Sequence, residues 1–387
     1  MTAHDHDPAR QLGPSTLAVH GGYTPRNGDG LSPAIDLSST FRFPGDPGNP
    51  EQAVPYAYGR TGNPGFLPLE RTVADLEGAR HGIVVNAGMA AAIPLLMEAK
   101  RGTAIVMPYD CYFGIRAHAE RIMPERDIEV RLVDQGDLAA VERALDGASL
   151  MWVESPTNPL MAIADLAAID RLCRARNVPW VIDNTFASPI LQRPLEWGAL
   201  AVMHSLTKYI GGHSDLILGA IATNDDALNE RVRFYRDKNG TQPDGFNSWL
   251  ARRGAQTVAL RVRQASASAM EITTRLEAHP AIQQVYYPGL ASHPGHAVAQ
   301  RQMRGGFGGM FSILVRGGGA AAQAVVDNVR VWVPATSLGS VESLIERRSR
   351  WTGEVAPDNL VRLSTGIEDV ADLWADLEQA LDAALRV

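Results

Sequence analysis

Among the residues of this chain, Lys208 has the sequence neighbours best suited to a catalytic role. It follows an apolar run that ends at His204, and Ser205 and Thr207 add two hydroxyl groups beside it. A lysine amine that has lost its proton is a nucleophile and forms Schiff bases with carbonyl compounds. The pattern predicts a reactive amine just after a strand, although an exposed surface lysine fits the same residues.

A carboxylate ends another apolar run earlier in the chain. Asp183 follows Val181 and Ile182, and burying its charge is costly unless a partner neutralises it. Such a carboxylate can hold a ring nitrogen in its protonated form, which makes the ring an electron sink. Since Asp also caps helices and turns, the assignment depends on Lys208 following a second strand.

Three further segments carry groups suited to anions. Gly88 and Met89 begin a helix after a strand, where free N–H groups bind phosphate, although a plain turn has the same pattern. Arg362 stands in an apolar run, which suits bidentate capture of a carboxylate or an outward position on an edge strand. Two prolines make the segment from Glu154 to Pro159 rigid, and this segment also contains Asn158.

The elements that position these groups alternate between strands and helices over residues 61–252. This pattern indicates a mostly parallel sheet with helices on both faces. Functional groups of such a sheet lie beyond the carboxyl ends of its strands, which is where Lys208 and Asp183 stand. The predicted strands are 81–86, 103–107, 149–154, 179–183, 199–204 and 219–222.

The two ends of the chain have different patterns. Residues 1–60 are rich in Gly, Pro, Ser and Asp and predict an extended arm. Their aromatic residues argue against the alternative of a disordered tail. Residues 253–387 contain a long helix, two strands and a final helix in the prediction, which indicates a smaller α+β domain.

Composition limits the classes of function. The 387 residues carry a net charge of −7, which disfavours nucleic acid as a partner. Arg347, Arg348 and Arg350 form a local basic patch, for which we predict a solvated face. Two cysteines indicate neither a disulfide framework nor a metal site. The polar start and the lack of long apolar runs predict a cytoplasmic protein without a membrane span.

Together these runs resemble the Cys/Met metabolism family of enzymes, which use pyridoxal 5′-phosphate (PLP) and have fold type I. The resemblance extends from His20 to Asp369, and its most specific part is 204–215. It implies the PLP-dependent transferase fold, an α/β architecture with a mostly parallel central sheet. The implied divisions are an arm that reaches a neighbouring subunit at 1–60, a PLP-binding domain at 61–252 and a C-terminal domain at 253–387.

The resemblance also implies a role for each cofactor residue. Lys208 binds PLP as a Schiff base and moves protons, Asp183 pairs with the pyridine nitrogen, and Tyr112 stacks on the ring. The implied assembly is a homotetramer built from dimers that share active sites. The implied phosphate ligands are Gly88, Met89, Ser205 and Thr207, with Tyr58 and Arg60 from a neighbouring subunit.

For the substrate, the resemblance implies an amino acid whose α-carboxylate is held by Arg362. Asn158 and Ser337 assist this arginine, and Glu154 lies behind the residues that touch the ligands. No metal is implied.

The sequence departs from the family pattern around the distal end of the substrate. Arg116 stands four positions after Tyr112, where the family commonly has an arginine after five. Arg116 stays a candidate substrate contact. Thr336 replaces a common Glu, and residues 347–351 replace a His-Pro run. These departures leave open a smaller or different thioether in place of cystathionine.

The implied activity is elimination or replacement at Cγ of a sulfur-containing amino acid, as in cystathionine γ-lyase or γ-synthase. Methionine γ-lyase and cystathionine β-lyase activities are open alternatives. A fold type I aminotransferase shares Lys208 and Asp183, but Tyr58 and Arg60 fit it poorly. A PLP-fold protein that only binds or scaffolds is the third hypothesis, and it does not explain why every expected catalytic residue is present.

Overall fold

The computed structural model of this chain describes residues 12–43, 56–351 and 353–386. Residues 1–11 and 44–55 of the predicted arm therefore lie outside the described residues, and they include the polar start on which the prediction of location partly rests. The part of the arm that is described contains a short helix, Pro14–His20, which the sequence prediction does not include.

The larger sheet of the described chain has seven strands. They are β1 His81–Val85, β2 Thr103–Pro108, β3 Ile128–Val133, β4 Ala148–Glu154, β5 Trp180–Asp183, β6 Ala201–Ser205 and β7 Gly219–Thr223. Their order is β1-β7-β6-β5-β4-β2-β3. Only β7 runs antiparallel to the others, so the prediction of a mostly parallel sheet is confirmed. The strand β3 was not predicted, because it lies at the edge and most of its residues are partly exposed.

Helices cover both faces of this sheet, as the sequence predicts. Val181 contributes to a core shared with the helices on one face, and the next residue, Ile182, contributes to the core on the other face. Successive side chains of a strand point to opposite faces, so a strand covered on both sides is apolar throughout. The helices are α1 Pro14–His20, α2 Leu67–Glu77, α3 Gly88–Leu96, α4 Phe113–Ile122, α5 Leu138–Ala144, α6 Leu166–Ala175, α7 Ser188–Leu191, α8 Asp226–Asn239, α9 Gly245–Ala255, α10 Val258–Leu276, α11 His296–Gln302, α12 Gly318–Asn328 and α13 Val370–Ala384.

A second, five-stranded sheet follows along the chain. Its strands are β8 Ile282–Tyr286, β9 Met310–Val315, β10 Val333–Pro334, β11 Leu344–Arg347 and β12 Leu360–Ser364. The order is β10-β11-β12-β9-β8, and α10, α12 and α13 share its core. Since β12 lies between two other strands, the alternative that Arg362 points outward from an edge strand is wrong.

The divisions at residues 60 and 252 stay predictions. No described helix is both long and apolar enough to span a membrane. The described residues contain no group of three or more His, Cys, Asp or Glu side chains arranged to hold a metal ion.

Candidate active site

A cavity of about 410 Å³ opens where β4, β5 and β6 end. These three strands are neighbours, with Glu154 paired to Asp183 and Asp183 paired to Met203 in the sheet register. Residues from the second sheet and its connections close the other side. The predicted site residues that line the cavity are Gly88, Met89, Tyr112, Glu154, Asn158, Asp183, Ser205, Thr207, Lys208, Ser337 and Arg362.

Lys208 stands in the turn that follows β6. Its Nζ donates a hydrogen bond of 2.7 Å to Oγ of Ser337. Burial, together with the positive charges of Arg362 and Arg348, lowers the pKa of this amine to about 8. Since an amine must lose its proton before it acts as a nucleophile or base, this environment makes Lys208 reactive near neutral pH.

Two carboxylates lie side by side beneath the cavity. The backbone N–H of Thr185 donates to Oδ1 of Asp183 at 2.9 Å. Burial, and then the negative charge of Asp183, raise the pKa of Glu154 well above its ordinary value. The pKa of Asp183 is also raised by burial, but hydrogen bonds from Thr185 oppose the shift. Glu154 is therefore protonated more readily than Asp183, and Asp183 is the member of the pair better able to carry the negative charge.

The start of α3 faces the same cavity and offers free N–H groups. Ala87 precedes the helix in an extended conformation, and no side chain caps it. A Cβ added at Gly88 would lie 3.0 Å from Cβ of Ser205, and one added at Gly219 would lie 2.2 Å from the carbonyl oxygen of Ala87. The two glycines therefore let the helix start pack against β6 and β7, which brings its N–H groups to Ser205.

Thr207 lies on the same side of the cavity. Its hydroxyl group donates to the carbonyl of Leu218 and accepts from the N–H of the same residue, both at 3.2 Å. This pair of contacts fixes the turn between Ser205 and Lys208 against the start of β7.

Arg362 is buried on β12 and is held from three directions. Its guanidinium donates to Oδ1 of Asn158 at 2.9 Å, to the carbonyl of Ser337 at 2.9 Å and to Oε2 of Glu346 at 3.1 Å. Ser337 has a φ of +87°, a left-handed conformation that is rare outside glycine and concentrates at functional sites. The contacts fix the direction of the guanidinium, as the capture of a carboxylate requires.

Arg348 lies inside the protein, so the predicted solvated face is wrong for this residue. It is 2% exposed, and it lines the cavity. It donates to Oε2 of Glu346 at 2.8 Å and also pairs with Glu354. Because the two carboxylates neutralise it, the guanidinium can be buried, whereas Arg350 remains half-exposed at 47%.

Tyr112 lies after β2 and directly before α4. Its backbone N–H donates to Oε2 of Glu154 at 2.9 Å, and its ring meets the ring of Phe113 edge-on with centroids 5.1 Å apart. Burial raises the pKa of the Tyr112 hydroxyl, and the nearby Arg348 opposes the shift. The phenol is therefore protonated at neutral pH and can donate a hydrogen bond.

Three predicted site residues do not line the cavity. Arg116 donates instead to the carbonyls of Tyr109 and Gly353. Tyr58 is 49% exposed, and Arg60 donates to the carbonyl of Asp237 at 2.8 Å. That Tyr58 and Arg60 serve a neighbouring subunit stays a prediction.

Sequence reasoning missed several residues that form the cavity wall. Phe113 and Trp351 provide aromatic surfaces, and Arg348 provides a buried cation. A usable signal for the burial of Arg348 was that Glu346 and Glu354 stand on either side of it, since opposite charges close together in sequence can neutralise one another when buried. The contact of Trp351 with the cavity had no such signal.

Comparison with known proteins decides the family. The sequence model of the Cys/Met metabolism PLP-dependent enzymes matches residues 15–382. The chain belongs to this family. It is 44% identical over 379 residues to a cystathionine γ-synthase of Mycobacterium tuberculosis, covering 95% of this chain and 97% of that one. It is 38% identical over 379 residues to a cystathionine γ-lyase of Dictyostelium discoideum, with the same shares covered.

A solved structure agrees with the family assignment. The cystathionine γ-synthase of Xanthomonas oryzae pv. oryzae, crystallised with cystathionine, superposes with a TM-score of 0.92 at 36% identity. The match covers 97% of this chain and all of that one. The predicted PLP-dependent fold and the predicted PLP cofactor are therefore confirmed.

The cavity of this family member fits PLP on three counts. Lys208 supplies a partly deprotonated amine. Asp183 supplies a buried negative charge that a protonated ring nitrogen can neutralise. The uncapped start of α3, with no side chain at Gly88, leaves N–H groups for a phosphate.

Proposed function

We propose that this enzyme carries out elimination or replacement at Cγ of a sulfur-containing amino acid. One observation carries the proposal: the amine of Lys208, the carboxylate of Asp183 and the guanidinium of Arg362 come from three separate elements and line one cavity. The names of the relatives, cystathionine γ-synthase and γ-lyase, support chemistry at a carbon bonded to sulfur.

Arg362 is the group that binds the α-carboxylate of the substrate in this proposal. Asn158, Ser337 and Glu346 already hold its guanidinium, so little side-chain entropy is lost when the substrate binds. The substrate is thereby oriented with its Cα toward Lys208, since Ser337 contacts both Lys208 and Arg362.

Lys208 is the residue that moves protons. Bound PLP supplies an electron sink, which makes protons at Cα and Cβ of an amino acid removable. Nζ of Lys208 takes these protons and returns them, because its lowered pKa of about 8 lies near working pH. Loss of the Cβ proton expels the γ-substituent as an anion, which takes a proton and leaves as a thiol when it was bonded through sulfur. Water then releases the keto acid and ammonia in an elimination, or a thiol adds at Cγ in a replacement.

In this proposal the cofactor is bound by the side chains of Tyr112, Asp183, Ser205 and Thr207 and by the N–H groups of Gly88 and Met89. Glu154 acts through Tyr112, because its side chain accepts the backbone N–H of that residue. Glu154 is therefore a positioning residue.

A substrate panel tests the proposed function. Holoenzyme is offered methionine, cystathionine, homocysteine, cysteine, and O-succinylhomoserine with cysteine, while thiol, keto acid and ammonia are measured. Release of thiol, keto acid and ammonia in equal amounts supports a lyase, and a new thioether supports a synthase. Transfer of nitrogen without release of ammonia would indicate an aminotransferase. A Lys208→Ala variant loaded with PLP is the control and is expected to be inactive.

A cytoplasmic homotetramer is the form in which we propose that the enzyme works, with dimers that share active sites. Tyr58 and Arg60 lie away from the cavity of their own chain and are partly exposed, which suits a contact with a second copy. Small changes in cavity shape decide the substrate within a fold, so methionine γ-lyase and cystathionine β-lyase stay alternatives until the panel is measured.

A further inference from the structure

We propose that the cavity selects sulfur amino acids whose γ-substituent is small and uncharged, such as an S-alkyl group, and that Arg348 and Trp351 impose this selection. The inference rests on the proposed function and names its substrate class. A substrate that ends in a second ionised carboxylate is disfavoured.

The charge of Arg348 is already neutralised before a substrate binds. One terminal nitrogen donates to Glu346 at 2.8 Å, and the other pairs with Glu354. Both carboxylates are buried, with side chains 1% and 2% exposed. The Nε of Arg348 has no hydrogen-bond partner, so the limit is one of charge: a guanidinium already paired with two buried carboxylates leaves a further anion without its own counter-charge.

The buried charges of this wall already balance one another. Arg348 and Arg362 provide two positive charges, and Glu346 and Glu354 provide two negative charges, whereas Arg350 is half-exposed and does not line the cavity. In the proposed function, Arg362 binds the one α-carboxylate of an amino acid. A second carboxylate in the cavity would be buried without a partner, which is costly.

Two other positions that could meet the distal end of a substrate are uncharged or occupied. Thr336 lines the cavity and carries no charge. The guanidinium of Arg116 donates to the carbonyls of Tyr109 and Gly353. Arg116 thus ties α4 to the loop after Trp351 and supports the wall from behind.

Trp351 sets the size of the space. The residue lines the cavity while it is 43% exposed, and its Nε1 donates to Oε1 of Glu346 at 2.7 Å. The other oxygen of Glu346 accepts from Arg362 at 3.1 Å. Because one carboxylate holds both groups, the indole lies at a fixed distance from the anchor of the α-carboxylate and limits how far the γ-substituent can extend.

The volume of the cavity agrees with a short substituent. It measures about 410 Å³, near the low end of the roughly 300–1,000 Å³ range of small-molecule sites. This space has to hold both PLP and the substrate.

Binding of unreactive analogues to the holoenzyme tests the inference. L-norleucine, L-2-aminoadipate and the side-chain amide of L-2-aminoadipate lack a leaving group at Cγ, and their dissociation constants can be read from the visible absorbance of the cofactor. We expect norleucine to bind at least about tenfold more tightly than aminoadipate, with the amide in between; a tenfold ratio corresponds to about 1.4 kcal/mol. Equal or tighter binding of aminoadipate would overturn the inference.

A Glu354→Gln variant tests the role of charge. It keeps the shape of the side chain but removes one of the two carboxylates that neutralise Arg348, so aminoadipate is expected to bind about tenfold more tightly than to the parent enzyme. Norleucine affinity is expected to stay unchanged, which also reports an intact site. Glu378→Gln, at an exposed position on α13, is the matched control. If aminoadipate binding is unchanged in a Glu354→Gln variant that still binds norleucine, Arg348 does not impose the selection.

Turnover separates this inference from the proposed function. Methionine is expected to have a higher kcat/KM than cystathionine. Trp351→Ala is expected to raise the kcat/KM for cystathionine relative to that for methionine. Efficient turnover of cystathionine over methionine would overturn the inference and leave the proposed function standing. If no sulfur amino acid is turned over, the proposed function fails, and the analogue affinities still decide what the cavity selects.

Discussion

The carboxylate of Glu346 and the guanidinium of Arg362 form an ion pair of 3.1 Å between two side chains that are 1% and 4% exposed. The same oxygen of Glu346 accepts from Arg348 at 2.8 Å, and the other oxygen accepts from Trp351. Glu346 therefore joins the proposed carboxylate anchor to the cavity wall, and both depend on it for their position.

Glu346→Gln is expected to destabilise the protein by about 3–5 kcal/mol, because breaking a buried pair leaves a charge without its partner. The measurement is urea unfolding of the holoenzyme and of the apoenzyme. Glu271→Gln removes a carboxylate from an exposed ion pair with Arg275 and is expected to cost under about 1 kcal/mol. Equal losses in the two variants would show that the Glu346 network adds no more to stability than an exposed ion pair.

Lys208 is expected to react with an amine reagent at lower pH than an ordinary lysine. The neutral amine is the reactive form, and its fraction rises as pH rises through the pKa, which lies at about 8 for Lys208 against about 10.4 for a free side chain. Labelling of apoenzyme at Lys208 should therefore reach half its maximum near pH 8. Peptide mass spectrometry measures it, since the chain has only two other lysines, Lys100 and Lys238.

The same experiment has its control inside the protein. Lys100 and Lys238 are exposed, and their labelling should not change when PLP is bound. Labelling of Lys208 should be lost in the holoenzyme. If PLP leaves Lys208 labelling unchanged, the proposed attachment point is incorrect.

Gly219→Ala is expected to weaken PLP binding. The new Cβ would lie 2.2 Å from the carbonyl oxygen of Ala87, so the start of α3 must move away from Ser205, at a cost of about 1–3 kcal/mol for overpacking. The PLP dissociation constant of reconstituted apoenzyme measures the effect. Gly13→Ala, where an added Cβ meets nothing within 4 Å, is the control and should keep parental affinity.

A hybrid dimer of one Arg60→Ala chain and one Lys208→Ala chain is expected to be active, although each variant alone is not. If Arg60 completes the site of a neighbouring subunit, one site of the hybrid dimer carries both substitutions and the other carries none. Coexpression with two different tags yields the hybrid, and its activity is compared with that of each parent variant, both expected to be nearly inactive. An inactive hybrid would mean that Arg60 and Lys208 act within one chain, and a fully active Arg60→Ala parent would remove Arg60 from the site.

The strands, and the edge of the sheet at which ligands bind, could be predicted from local sequence. Strands buried on both faces are apolar throughout, and the polar residue that ends each of them, such as Glu154 or Asp183, marks the edge at which ligands bind. The helix start at Gly88 was also readable, because a glycine after a strand and before an apolar helix is a local pattern. The family resemblance added Tyr112, Ser337 and the cofactor, none of which follows from composition or periodicity.

By itself, then, the sequence determined the mostly parallel sheet, the PLP cofactor and the residues that meet at Lys208. Only the tertiary structure decided the environments of the arginines. Arg362 lies on an interior strand, Arg348 is buried between two carboxylates, and Arg116 donates to two carbonyls instead of lining the cavity. The physical reason is that the environment of a long charged side chain depends on which partners the fold brings to its end. Those partners come from distant elements, and no local pattern specifies them.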